Sequence, residues 1–145
     1  MLLQKQRQAT CPTTTSKKEG IVMEKNKLQE LKLNAAKARL LGVQMVHDAA
    51  SGHPGGSLSC MDVLTYLYFD AMRVDPKNPQ WADRDRFVMS KGHCSPAVYP
   101  VLALRGFFPV EELKMFRRVD GHMSGHVEMH HVPFSSVYHS FLKLS

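Results

Sequence analysis

Four of the eight histidines in this 145-residue chain directly follow a glycine: Gly52-His53, Gly92-His93, Gly121-His122 and Gly125-His126. Independent placement of 9 glycines and 8 histidines would give roughly half such a pair, so the pairing is a pattern rather than a by-product of composition. Glycine lets the backbone turn sharply or pass close to a ligand. The imidazole beside it exchanges a proton near neutral pH or binds a metal. Taken singly, each pair is an ordinary turn with a surface histidine. Four of them on separate loops predict a site assembled from loop tips.

Other chemistries compete for these residues. His122, His126 and His130 recur every four positions, which on a helix would line three imidazoles along one face for zinc or another metal. Gly121 and Gly125 oppose a helix there, at about 1 kcal/mol each against alanine, and no cysteine lies near enough to complete a tight site. Cys94 beside His93 has the composition of a thiolate–imidazole pair. Sequence neighbours seldom aim their side chains at each other, so Cys94 is expected to be core or loop filler. Cys11, Cys60 and Cys94 lack C-x-x-C spacing and give neither a disulfide framework nor a zinc site. His47 is expected to be structural, and His130 and His131 to be loop residues.

The elements that must carry the Gly-His loops follow from periodicity. Leu28, Leu31, Ala35, Ala38, Leu41, Met45 and Ala49 alternate three and four apart, which predicts one helix of about six turns with a single buried stripe. It should stop at Ser51-Gly52, leaving Pro54-Gly55-Gly56 in a loop. Ser59 and Asp62 form a carboxylate version of the capping box, and Met61, Leu64, Leu67, Tyr68 and Ala71 continue a second helical stripe. Residues 74–84 make a surface connection. Arg86 to Ser90 is the one clear strand, short and hydrophobic as in a buried parallel sheet. Ser95-Pro96 opens a helix that Gly106 ends; Pro100 falls inside it, where a lost hydrogen bond costs about 3 kcal/mol. Pro109, Glu111 and Glu112 start another short helix, ending near Arg117-Arg118, whose cations suit its dipole. The result is α/β organisation with the loops gathered around one end of a sheet, where such folds place ligands.

The net charge of +6 is confined to the N-terminal segment: residues 1–39 hold nine basic and three acidic residues, and residues 40–145 hold ten of each. Residues 1–22 lack periodicity and are expected to be a disordered basic tail, or an extension preceding a true start at Met23. No aromatic residue interleaves with those charges as stacking on nucleic acid would need. No apolar run approaches the roughly 18 residues of a membrane span, and no signal peptide is evident. The expectation is a cytoplasmic protein with neither membrane nor nucleic acid as partner.

Ser51 to Ser59, S-G-H-P-G-G-S-L-S, and Asp85 to Pro96, D-R-F-V-M-S-K-G-H-C-S-P, are followed by R-G-F-F-P from Arg105 and G-H-V-E-M-H-H-V-P from Gly125. In this order the four stretches resemble transketolases over about residues 28 to 133, and most of all the separate N-terminal subunit of split bacterial forms. The resemblance implies the N-terminal fragment of a thiamine-diphosphate-binding three-layer α/β/α domain with a parallel sheet, mostly helical as present. Residues 23–133 would be the partial cofactor-binding domain and residues 134–145 a tail outside the pattern. The implied enzyme moves a two-carbon ketol unit between sugar phosphates in the pentose phosphate pathway, using thiamine diphosphate and magnesium. The cofactor carries the difficult electronics; the protein supplies donors for developing charge and a route for protons. By motif position, His53 and His126 would be catalytic and His93 would bind the cofactor, while His122 has no clear task. The resemblance also implies a homodimeric assembly partnered by a C-terminal transketolase subunit. Deoxyxylulose-phosphate synthase is the nearest alternative within this chemistry, but the intact Ser51 to Ser59 and Lys91 to Pro96 loops favour transketolase. Outside it stand a histidine-rich metal-binding module and a basic-tailed nucleic-acid-binding protein.

After Pro133 the transketolase pattern continues with a glycine-rich loop and a strand ending in G-D-G, whose aspartate helps hold magnesium. This chain has no glycine after Gly125, so the magnesium-ligand motif is absent and no metal ligand is assigned. The expectation is a chain truncated relative to the pattern by a frameshift, a pseudogene or a misread gene, and inactive alone. Its strand would lack partners and its helical stripes would cover a largely missing core, giving a partly folded or aggregation-prone product.

Overall fold

The computed structural model describes residues 24–127 and the strand Val137–Tyr138; the basic tail, His130, His131 and the rest of 134–145 lie outside the described residues. Helix α1 spans Lys25–Asp48 and buries Leu31, Ala35, Ala38 and Met45, with Gly42 completing the same stripe. This is the stripe read from the periodicity, although Leu28 at its start is 43% exposed. Helix α2 spans Pro54–Ser59, α3 Met61–Tyr66 and α4 Ser95–Arg105. A 3-10 turn at Gly92–Cys94 leads into α4, and a second one covers Val110–Met115 where an α-helix was expected.

The core is built around α4. Every residue from Ser95 to Ala103 is buried, so this helix is covered all round and the stripes of α1 and α3 have something to cover. The expected missing core is corrected on this point, because the helices bury their stripes against one another. The helix also runs through Pro100. Proline has no N–H to give the carbonyl of Pro96, and that carbonyl faces Gly42 of α1: a Cβ on residue 42 would lie 2.6 Å from it. Gly42→Ala should therefore lower stability by about 1–3 kcal/mol through overpacking, although alanine is the better helix former by about 1 kcal/mol. The urea midpoint reports this; an unchanged or raised midpoint would mean that α1 and α4 separate freely.

Gly106 ends α4 in left-handed backbone at φ 96°. The Gly106 N–H donates to Ala103 at 3.0 Å and the Phe107 N–H to Leu102 at 3.1 Å, a Schellman stop. Phe107 then packs edge-on to Tyr68, ring centroids 6.3 Å apart, and Arg105 Nε donates to the Tyr68 carbonyl at 2.9 Å. The R-G-F-F-P stretch thus ends α4 and fastens it to the earlier turn that carries Tyr68.

Pro54-Gly55-Gly56 is the first turn of α2 rather than a loop. Proline fits the first helical position because no donor is needed there, and the Ser57 hydroxyl bonds back to the His53 carbonyl at 2.9 Å. The expected capping box does not form. Ser59 donates to the Gly56 carbonyl at 2.9 Å, α3 starts at Met61 without a side-chain cap, and Asp62 pairs with Arg39 of α1. That hydrogen bond holds the Asp62 carboxyl below the usual carboxylate range. Met61, Leu64 and Tyr68 are buried as the second stripe requires, while Leu67–Ala71 widens into a π turn and Ala71 is exposed.

Strand β1 is only Phe87–Val88, and it does have a partner: β2, Val137–Tyr138, lies parallel with Phe87 opposite Val137 and Val88 opposite Tyr138. This corrects the expectation of an unpaired strand. A parallel partner is always distant in sequence, so no local signal near residue 87 could reveal it. The described residues are mostly helical, with little strand.

The Tyr68 hydroxyl is buried without a hydrogen-bond partner among the described residues, and burial pushes its phenol well above the ordinary value. The neutral form is therefore favoured in the fold. Its contribution is fully present below pH ~10, the ordinary tyrosine value, and is lost above it, because only the unfolded chain then releases the proton, at about 1.4 kcal/mol per pH unit. Tyr68→Phe should remove that loss and raise stability at neutral pH by about 1 kcal/mol. Urea unfolding between pH 7 and 11 checks both; a destabilised variant with an equally steep alkaline fall would refute the assignment.

Candidate functional site

His53 stands at the N-cap of α2, directly after α1 has ended, and His93 lies in the 3-10 turn that opens into α4. The chain brings these two imidazoles together, edge to face, with ring centroids 5.0 Å apart and planes at 65°. Both residues are exposed. Close packing of α2 over the turn makes the contact possible: a Cβ on Gly56 would lie 2.8 Å from Cys94 Sγ and 3.8 Å from His93 Nε2. Cys94 is fully buried on the inner side of this packing, as core filler rather than as a nucleophile facing the histidines.

His126 reaches the same end of α4 through its backbone. Ser95 Oγ donates to the Gly125 carbonyl at 2.7 Å. Tyr99 Oη donates to Ser124 at 3.0 Å and to the His126 carbonyl at 3.5 Å, and the Ser124 hydroxyl also reaches the His126 carbonyl. Val127 beside it is fully buried, while His126 itself is exposed. The loop is thus fastened to the first turns of the helix that follows His93. Ser95 opens α4, and its hydroxyl makes no cap but holds a loop thirty residues away.

The other described histidines, His122 and His47, lie apart from this contact. His122 Nε2 is 3.0 Å from Glu112 Oε2, an exposed pair of little energetic weight. His47 lies at the end of α1 with its ring 81% exposed, Nδ1 3.2 Å from Asp48 Oδ1. Hydrogen bonds from His47 and Gln44 hold the Asp48 carboxyl below its usual range. No helix forms over residues 119–127, so His122 and His126 do not share a helical face as a metal module would require.

Two exposed imidazoles in contact can donate to or accept from phosphate and hydroxyl oxygens and exchange protons, and a third histidine lies on a loop fastened to the first turns of α4. A magnesium site is a different matter: among the described residues no group of three or more His, Cys, Asp or Glu could hold a metal ion, and hard-cation chemistry asks for several oxygen ligands. Among the described residues no helix is long and apolar enough to cross a membrane.

The sequence model of the family described as transketolase, thiamine diphosphate binding domain, matches residues 31–138, which includes β2 and so passes the Pro133 boundary. A 6-deoxy-6-sulfo-D-fructose transketolase subunit from Clostridium sp. (strain MSTE9) is 44% identical over 100 residues, covering 69% of this chain and 36% of that protein. An apulose-4-phosphate transketolase subunit from Phocaeicola vulgatus is 46% identical over 99 residues, covering 68% and 35%. Among solved structures, the crystal structure of a transketolase from Campylobacter jejuni superposes with a TM-score of 0.65 at 39% identity, covering 72% of this chain and 16% of that one. A transketolase from Pichia stipitis in complex with sedoheptulose 7-phosphate gives 0.66 at 38%, with the same coverage. The chain therefore spans about a third of the length of the subunit-type relatives. Neither the metal-module nor the nucleic-acid reading receives support from these comparisons.

Proposed function

From the premise that this chain belongs to the transketolase family, we propose that residues 23–133 form one wall of a ketol-transfer site that works on sugar phosphates. The observation that carries the proposal is the 5.0 Å contact between His53 and His93, two residues that sequence order alone keeps apart. Thiamine diphosphate, when bound, supplies carbanion stabilisation for the two-carbon unit. His93 holds the cofactor from the 3-10 turn before α4. His53, exposed at the start of α2, passes protons to and from a substrate oxygen near neutral pH. His126 hydrogen-bonds the hydroxyls at the carbonyl end of the sugar, its loop kept in place by Ser95 and Tyr99. These three roles follow motif position and the shared end of α4.

The remaining contacts come from outside the described residues: magnesium ligands, the acid for the cofactor's pyrimidine ring, a second copy of the assembly and a C-terminal subunit, working in the cytoplasm. The names of two relatives, each described as one subunit of a transketolase, support division of the enzyme between chains. The complex with sedoheptulose 7-phosphate supports sugar phosphates as substrates.

Thiamine diphosphate and magnesium titrated into the protein, with the histidine Cε1–H signals followed by NMR, test the proposal. The His53 and His93 signals should move together and saturably while His47 stays. Absence of any movement at either histidine, or equal movement at His47, would defeat it.

A further inference from the structure

The 3-10 turn Val110–Met115 is followed by two residues that touch both histidine loops. The buried ring of Phe116 lies against Gly52: a Cβ there would be 3.6 Å from the ring edge. Arg117 Nη1 donates to Ser51 Oγ, two positions before His53. The same guanidinium lies over Gly125, one position before His126, so closely that a Cβ on residue 125 would stand 2.6 Å from both Nε and Nη2. Its own backbone is held in place: Arg117 has a left-handed φ of 53°, and its N–H donates to the Met123 carbonyl at 2.9 Å. The guanidinium carbon sits 5.6 Å from the centre of the Phe116 ring. Next to it, Arg118 Nη2 donates to the carbonyl of Asp48, the last residue of α1, at 3.1 Å. The cations expected to serve the preceding short helix instead close the end of α1 and span the two loops.

We propose that Arg117 is a positioning residue: its planar guanidinium sets the spacing between the His53 loop and the His126 loop. The proposal rests on the reading above only in taking these two histidines to act on one ligand. A rigid fork suits this work, because one edge can donate to the Ser51 hydroxyl while the plane covers Gly125; an ammonium offers a point charge and no plane. A side chain on residue 125 would occupy the space of the fork and displace the guanidinium.

The test uses the whole chain without cofactor or substrate, so that its result is independent of the ketol-transfer reading. The Cε1–H signals of His53 and His126 are compared in the parent chain and in Arg117→Met, Arg117→Lys and Ser51→Ala, with His47 and His122 as internal references. Arg117→Met should shift and broaden both His53 and His126 signals. Ser51→Ala should move His53 alone, because only that tether is cut. Arg117→Lys should largely keep His53 in place through a single donor while His126 moves. Signals of His53 and His126 that stay at parent positions in Arg117→Met, or that move no more than those of His47 and His122, overturn the proposal. So does a Ser51→Ala chain in which His53 does not move. Should Arg117→Met fail to fold, the opposite responses of Ser51→Ala and Arg117→Lys decide the matter: the stated pattern supports the bridge and any other pattern refutes it.

Discussion

His53→Ala lowers the turnover of ketol transfer in the assembled enzyme by about 10²- to 10⁴-fold, the range for loss of a positioned proton-transfer group, and leaves stability nearly unchanged. The expectation separates chemistry from structure because the fold uses the backbone of His53 and hardly uses its ring. The carbonyl accepts the Ser57 hydroxyl, which alanine preserves. No side-chain cap is lost, since none is made. What disappears is an exposed imidazole and its edge contact with His93. His122→Ala is the matched control: its ring pairs with Glu112 away from the contact, so turnover should hold. Turnover and thermal midpoints of the two variants check this; a parent-like rate in His53→Ala refutes the role given to His53.

Phe116→Ala should cost about 3–5 kcal/mol, the usual range for deleting a buried aromatic ring. The ring is 1% exposed and packs edge-on to Tyr99 with centroids 6.2 Å apart. Phe116→Leu keeps most of the volume and should cost less than about 1.5 kcal/mol. Urea unfolding of both variants measures the difference. A loss below about 1 kcal/mol in Phe116→Ala would mean that the site collapses freely, and that Phe116 does not anchor the loop carrying Gly52 and His53.

Much of the framework was legible because it rests on local rules. The stripe of α1 follows from residues three and four apart, and the bounds of α4 follow from Ser95-Pro96 at one end and Gly106 at the other. The Gly-His excess marks His53, His93, His122 and His126 alike, and nothing local to the pairs separates His122 from the other three. Signals that were ambiguous locally were settled by packing. Pro54-Gly55-Gly56 has the composition of a loop, yet proline at the first helical position and contact with Cys94 make it a helix. Asp62 has the spacing of a cap residue, yet Arg39 across the interface takes its carboxylate.

Residue types and their spacing thus determined which elements form and which side chains can exchange protons, since both are properties of a few neighbouring residues. Tertiary structure alone decided which loops meet. Phe87–Val88 pairs with Val137–Tyr138 some fifty positions away, His53 touches His93, and Arg117 joins Ser51 to Gly125. Such contacts leave no periodic trace in the chain, because they depend on how α1 and the 3-10 turn before Arg117 are laid against α4, and that arrangement is fixed by the buried faces of all three at once.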